Sequence, residues 1–155
     1  MTIASARAHL ARHGLDARVT EFEVSSATVD LAAAALGVAP ERIAKTLSFD
    51  VGGAPVLIVF AGDARVDNRA FKERFGAKAR MIAADRVEQL VGHAPGGVCP
   101  FGVAYGVQVF LDASLRRFDV VYPAAGSGNS AIGLAVDELE QAAEAAGWVE
   151  VGRVA

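Results

Sequence analysis

The chain has a single cysteine, Cys99, so no disulfide can form within it and a small fold held by cross-links is excluded. It also lacks any long apolar run. The clearest, Val56-Leu57-Ile58-Val59-Phe60-Ala61, is far short of the roughly 20 residues that cross a bilayer, and no membrane partner is expected. An excess of positive charge is missing too. The formal net charge of −3 argues against a protein that coats nucleic acid, DNA included, by neutralising many phosphates. Met1-Thr2-Ile3-Ala4-Ser5-Ala6-Arg7 leads directly into an amphipathic pattern without the character of a signal peptide, so a cytoplasmic location is the expectation.

Familiar catalytic motifs are absent as well. Neither glycine-rich segment contains the Gly-x-x-x-x-Gly-Lys-Ser/Thr phosphate loop or the strand, Gly-x-Gly-x-x-Gly and helix order of a dinucleotide fold, which removes kinase and dehydrogenase readings. His9 and His13 lie one helical turn apart, but no glutamate completes a zincin arrangement and no third ligand is indicated. No metal and no cofactor is expected. Asp63 and Asp67 fit a turn and a helix cap ahead of Phe71 better than an acid/base pair.

What is present is a chain of 155 residues with 53% hydrophobic content, enough for one domain, residues 1–155, that buries its core without staples. Residues 3–13 carry a helical stripe of Ile3, Ala6 and Leu10 that Gly14 ends, and residues 18–24 read as a strand. Thr28, Leu31, Ala32, Ala35 and Leu36 mark the buried face of a second helix closed by Gly37. Strands at 43–51 and 56–61 around Gly52-Gly53 make a hairpin. A helix at 67–75, a short strand at 79–82 and a helix at 84–91 follow. Further strands are expected at 107–111, 118–122 and 131–135, and Leu139, Ala142, Ala143 and Ala146 mark a last helix ending at Gly147. Strands outnumber helices without strict alternation. The expected class is therefore mixed α/β of the α+β kind, a curved mixed sheet flanked by helices.

Lys45 stands out within this plan. In the strand at 43–51, Thr46, Ser48 and Asp50 share one face, while Lys45 falls in the apolar set with Ile43, Leu47, Phe49 and Val51. Such a lysine either snorkels out at the strand end or points into a partly enclosed cavity, and an unpaired buried charge costs roughly several kcal/mol, so something anionic should meet it.

Two glycine-rich segments accompany it, Gly92-His93-Ala94-Pro95-Gly96-Gly97-Val98-Cys99-Pro100-Phe101-Gly102 and Pro123-Ala124-Ala125-Gly126-Ser127-Gly128-Asn129-Ser130. Both can be ordinary turns. Both can also form a rigid rim of backbone donors, since glycine lets a ligand approach the main chain and proline holds a loop in one shape. Cys99 with His93 admits a thiol nucleophile and its base, or merely a small side chain in a tight loop. Arg65, Arg69, Lys72, Arg74, Lys78 and Arg80 against Asp67 and Glu73 make residues 65–80 either a docking face for an RNA backbone or the wet side of a helix whose Phe71 and Phe75 face inward.

Thr28 opening an Ala-rich helix, Ala44-Lys45-Thr46-Leu47, Asp63-Ala64-Arg65-Val66-Asp67, the Gly-Gly-Val-Cys-Pro-Phe-Gly element and the late Gly126 loop together resemble the YbaK/prolyl-tRNA-synthetase-associated family over nearly the whole chain. The resemblance implies a mixed sheet like an open barrel and an editing hydrolase that deacylates mischarged aminoacyl-tRNA in trans, typically proline tRNA carrying a small non-cognate amino acid. Aminoacyl-tRNA is the implied partner, with prolyl-tRNA synthetase as an associated one. It further implies that activity depends on Lys45, and that Thr28, Thr46, Gly96, Gly97, Val98, Cys99, Pro100, Gly126 and Asn129 bound the substrate pocket. Gly97 is expected to let the ester approach the loop backbone.

The chain departs from the branches of that family. A serine and an aspartate of the cysteinyl-tRNA deacylases correspond to Ala124 and Ala131, the alanyl-specific branch has asparagine in place of Thr46, and its late-loop histidine has no counterpart in Ser127-Gly128-Asn129-Ser130. Thr28 lies where a larger aromatic can occur, and one methylene of pocket volume discriminates by only about 1–3 kcal/mol. Two alternatives stand beside the editing enzyme: a non-catalytic module binding a nucleotide or aminoacyl derivative, and a thiol hydrolase using Cys99.

Overall fold

A curled sheet of six strands carries the molecule, and its two longest strands are the hairpin that the apolar alternation marks. The computed structural model describes residues 3–154; Met1 and Thr2, part of the amino-terminal pattern read above, and Ala155 lie outside the described residues. Helix α1 (Ile3–Arg12) and the short strand β1 (Thr20–Glu21) lead to α2 (Val29–Leu36), which Thr28 caps by accepting a hydrogen bond from Leu31 N at 3.2 Å and Gly37 ends at φ +70°. Leu31 does not join the buried face; Ala32 and Ala33 do, and Leu31 is 45% exposed.

Strands β2 (Ile43–Val51) and β3 (Ala54–Ala61) pair antiparallel from Ala44 opposite Ala61 to Val51 opposite Ala54. The expected strand at 79–82 is reduced to one bridge, Met81 against Phe49. After β4 (Ala64–Val66), α3 (Asn68–Phe75) and α4 (Ala84–Val91) come β5 (Gln108–Asp112), a 3-10 turn over Ala113–Arg117, β6 (Val120–Pro123), β7 (Ser130–Ala131), β8 (Leu134–Ala135), α5 (Val136–Ala142), β9 (Gly147–Val149) and β10 (Gly152–Val154). The six-stranded order is β8-β6-β2-β3-β5-β9, with β2 parallel to β6 and β3 parallel to β5, so the sheet is mixed and curls into a half-barrel flanked by five helices among the described residues.

The two faces of β3 feed two cores. Leu57, Val59 and Ala61 pack with α1, α4 and α5, whereas Val56, Ile58 and Phe60 join a ring cluster of Phe49, Phe71 and Phe110. Each fully buried ring or branched chain contributes on the order of 1.5–3 kcal/mol relative to exposure. Expected strand 131–135 is interrupted at Gly133, where a Cβ would lie 2.9 Å from a Tyr122 ring carbon. Gly147 opens β9 rather than closing the last helix, which stops at Ala142.

Candidate functional site

Between α2, β2 and the first glycine-rich segment lies a cavity of about 370 Å³. Strand β2 lines it from Ile43 to Ser48, so residues of the face read as polar, Thr46 and Ser48, and Lys45 of the other set all reach the cavity. Thr28 and Val29 close one wall, Met81 and Ile82 another, Pro95, Gly96 and Val98 a third, and Tyr122, Ala124, Ser130 and Ala131 the fourth. The lining is mostly apolar with a few hydroxyls, the usual make-up of a small-ligand site. Two of those hydroxyls, Ser26 Oγ and Thr46 Oγ1, are buried without a hydrogen-bond partner among the described residues.

Lys45 stands at the seam between this cavity and a neighbouring groove lined by Thr28, Val29, Asp30, Pro40, Gly62, Asp63, Ala64 and Arg65. Its Nζ donates to the Gly62 carbonyl at 3.4 Å. A side chain at Gly62 would run into the Pro40 carbonyl, so that position is fixed as glycine by close backbone packing. Burial lowers the Lys45 pKa from its ordinary value; Asp63 opposes this and Arg65 adds to it. Asp63 is engaged elsewhere, in a two-pronged pair with Arg117 at 2.6 and 3.0 Å that holds its carboxyl below the usual range. Lys45 is thus a half-buried cation with one long hydrogen bond to a carbonyl.

Of the residues expected at the pocket, Thr28, Lys45, Thr46, Gly96 and Val98 line the cavity. The other five are not in the lining: Gly97, Cys99, Pro100 and Gly126 are buried behind it and Asn129 is exposed. Gly97 is buried against the second glycine loop, where a Cβ would sit 2.9 Å from Ser127 Cα and 3.0 Å from Ser127 N. Gly126 is buried on the other side of the same contact at φ +101°. Asn129 ties that loop to the segment before α2, donating through Nδ2 to the Phe22 carbonyl at 3.0 Å and accepting from Ser127 Oγ at 2.8 Å. Pro100 and Cys99 are buried beneath the first loop.

Cys99 is fully buried and its thiol faces the Phe101 carbonyl at 3.5 Å, with His93 Nε2 also 3.5 Å away. Burial pushes the thiol up to about 12, and burial lowers the His93 imidazole, whose Nε2 faces the Phe101 carbonyl at 2.6 Å. Both shifts run opposite to those of a thiolate–imidazolium pair.

The sequence pattern did not single out Ser26, Ser48, Ser130, Tyr122 or Met81 as pocket residues. Ser48 was legible on the face it shares with Thr46; the others reach the cavity only through tertiary packing. Among the described lining residues the ionisable groups are Lys45 and Tyr122, so the cavity offers a cation and hydroxyls but no carboxylate or imidazole as a base. Away from the cavity, the pair His9 and His13 does meet a third group: Glu144 lies 3.3 Å from His9 Nε2 and 3.4 Å from His13 Nε2. His9 is otherwise held by the Ala142 carbonyl at 2.6 Å and by Arg12 at 2.9 Å, which makes the group a clasp between α1 and the chain after α5.

Residues 23–142 match the family described as the aminoacyl-tRNA editing domain. The chain is 48% identical over 152 residues to the uncharacterized protein YwhH of Bacillus subtilis (strain 168), covering 97% of each. It is 34% identical over 101 residues to a proline–tRNA ligase of Syntrophus aciditrophicus, covering 63% of this chain and 17% of that one. Among solved structures, the hypothetical protein APE2540 superposes with a TM-score of 0.78 at 31% identity over 88% of this chain and 91% of that one. A protein described as a candidate trans-editing enzyme for prolyl-tRNA synthetase superposes with a TM-score of 0.87 at 25% identity over 97% and 96%.

Proposed function

The chain belongs to the aminoacyl-tRNA editing domain family, and we propose that it hydrolyses mischarged aminoacyl-tRNA in trans, the substrate being proline tRNA that carries a small non-cognate amino acid. The observation that carries this reading is Lys45 at the seam of a mostly apolar cavity and a polar groove. An aminoacyl-tRNA end divides in the same way, into a small acyl group and a ribose-phosphate joined by an ester. In this arrangement the acyl side chain enters the cavity, the terminal ribose lies over Thr28 and Val29, and Lys45 donates to an oxygen at the junction.

The chemistry asks little of side chains. A water adds to the acyl carbon, the bond from that carbon to the ribose oxygen breaks, and the ribose oxygen takes up the proton; where a hydroxyl of the substrate adds first, the new ester it forms is cleaved by water in a second step of the same kind. Donors fixed around the carbonyl stabilise the charge that develops on its oxygen, and holding the ester among them supplies orientation. Gly96, at φ +87° on the cavity wall, brings loop backbone close to the acyl group without a side chain in the way. Cys99 has no route to the ester from beneath the loop.

A panel of tRNAs mischarged with alanine, serine, cysteine and other small amino acids, incubated with the protein and assayed for ester hydrolysis, tests the proposal. Turnover of at least one that Lys45→Ala abolishes is the expected result. Binding without turnover across the panel would favour a module that recognises an aminoacyl derivative.

A further inference from the structure

Strands β4 and β10 pair so that Arg65 lies directly opposite Arg153. Residues directly opposite in an antiparallel pair project from the same face about 4.5–5.5 Å apart at Cβ, and like charges there destabilise the pair. Neither arginine makes a hydrogen bond or ion pair among the described residues; of the two exposed carboxylates on the same groove, Asp63 pairs with Arg117 and Asp30 is bonded to neither arginine. Arg65 also lines the groove beside Lys45, so three cations follow one another without a dedicated anion among the described residues.

The chain fixes this arrangement firmly. The buried Asp112 carboxylate accepts from Val151 N and Gly152 N, each at 2.9 Å, and Asp67 N donates to the Val151 carbonyl at 2.7 Å. A slip of one residue would send Arg153 to the other face and relieve the repulsion, and these bonds prevent it. Elsewhere in the basic segment Arg69 pairs with Glu73 at 3.4 Å and Arg74 lies 5.0 Å over Phe75 and 5.4 Å over Phe110, while Lys72, Lys78 and Arg80 stand on the helix and the chain after it rather than opposite a second cation across a strand pair.

We propose that Arg65 and Arg153, continuing from Lys45, form a binding track for the phosphodiester backbone of the RNA whose ester occupies the cavity. The assignment rests on the deacylase reading above. A phosphate suits it because guanidinium groups bind phosphate oxygens through paired hydrogen bonds, and an anion between two opposed arginines removes their repulsion. Arg65 and Arg153 are positioning residues. They act on how the ester is delivered, while the bond is broken at the cavity.

The test compares two esters of one small amino acid, on the trinucleotide CCA and on adenosine, which has no phosphate. For Arg65→Gln and for Arg153→Gln, the wild-type preference in kcat/KM for the trinucleotide ester should fall about tenfold. The salt dependence of the KM for full tRNA should flatten by about 0.7 in log–log slope for each phosphate no longer neutralised. Arg69→Gln should change neither. Arg65→Lys should restore part of the preference, and the melting temperature of both glutamine variants should hold or rise, where a pair that served only stability would lower it. An unchanged preference and salt slope would overturn the track. Should the wild type hydrolyse no ester, the deacylase reading fails separately. Fluorescence anisotropy with uncharged CCA then decides the track, salt-sensitive binding weakened by Arg65→Gln supporting it and equal binding by wild type and variant overturning it.

Discussion

Asp63 and Arg117 close on each other through two hydrogen bonds of 2.6 and 3.0 Å, and that closure leaves Lys45 without a carboxylate of its own among the described residues. Had Asp63 turned to the lysine, the ammonium would be a neutralised ion pair at the cavity mouth. Committed to Arg117, Asp63 still tempers the burial of Lys45 at a distance but does not occupy its hydrogens.

Lys45→Ala is expected to lower deacylation at least about a hundredfold, the scale of removing one electrostatic interaction from a preorganised site. Thermal stability should be nearly unaffected. Lys45→Met, which keeps the length of the side chain and removes the buried charge, should melt at or above the wild-type temperature while remaining inactive. Single-turnover assays with calorimetry on the same preparations check both; wild-type rates in either variant would remove the lysine from the mechanism.

The pH dependence follows from the direction of the Lys45 shift. Its folded pKa lies below the ordinary 10.5, so the ammonium form, and the catalysed rate after subtraction of spontaneous ester hydrolysis, should be lost on the alkaline side before that value is reached. Because the folded state releases this proton more readily than the unfolded state, the group's unfavourable contribution to stability is relieved as pH rises through the lowered value. The melting advantage of Lys45→Met should therefore shrink in alkaline buffer. A catalysed rate that stays flat past 10.5 would contradict the assignment.

Gly97→Ala is expected to lower melting temperature and activity together, because the neighbour 2.9 Å from the new Cβ is backbone and cannot swing aside. Gly96→Ala meets only the Ala27 side chain at 3.4 Å, and its cost is chiefly that of a positive φ, about 1 kcal/mol or more. Its effect should fall mainly on KM. Thermal melts beside Michaelis curves separate a packed glycine from one that faces substrate.

Cys99→Ser should retain most of the activity, since the thiol is sealed in the core and held toward the Phe101 carbonyl. Mass spectrometry during turnover should find no acyl group on the wild-type chain. A trapped thioester at Cys99, with loss of turnover in the serine variant, would restore the nucleophile reading.

Thr46→Val removes a buried hydroxyl that has no hydrogen-bond partner among the described residues and should raise the melting temperature. If that hydroxyl meets substrate in the complex, KM rises in the same variant. Stability gained with KM unchanged would mark Thr46 as packing alone.

Long elements were legible because their signals are local. Thr28 and Gly37 bracket α2 by capping chemistry, and Gly52-Gly53 between two apolar runs defines the β2–β3 hairpin and with it the position of Lys45. Strands β4, β9 and β10 have three residues each and exist only through partners far along the chain, so neither alternation nor composition marks them. The opposition of Arg65 and Arg153 was hidden for the same reason. In the pocket, the two glycine-rich segments were visible in the sequence, but that they pack on one another, and which of their residues face the cavity, depends on how the loops stack. Gly97 is glycine because two backbones touch there, and Gly126 because its φ is +101°.

The stitching of the second loop to the segment before α2 also sets when the cavity can exist. Phe22 N bonds to Asn129 O at 2.7 Å and Ser26 N to Gly128 O at 2.7 Å, contacts that span most of the chain. During synthesis, the hairpin that bears Lys45 can pair as soon as residue 61 has emerged, yet the wall of Tyr122, Ala124, Ser130 and Ala131 is incomplete until residue 131 follows, and contacts this distant form slowly. A nascent chain therefore displays its lysine on an open strand well before it encloses a pocket.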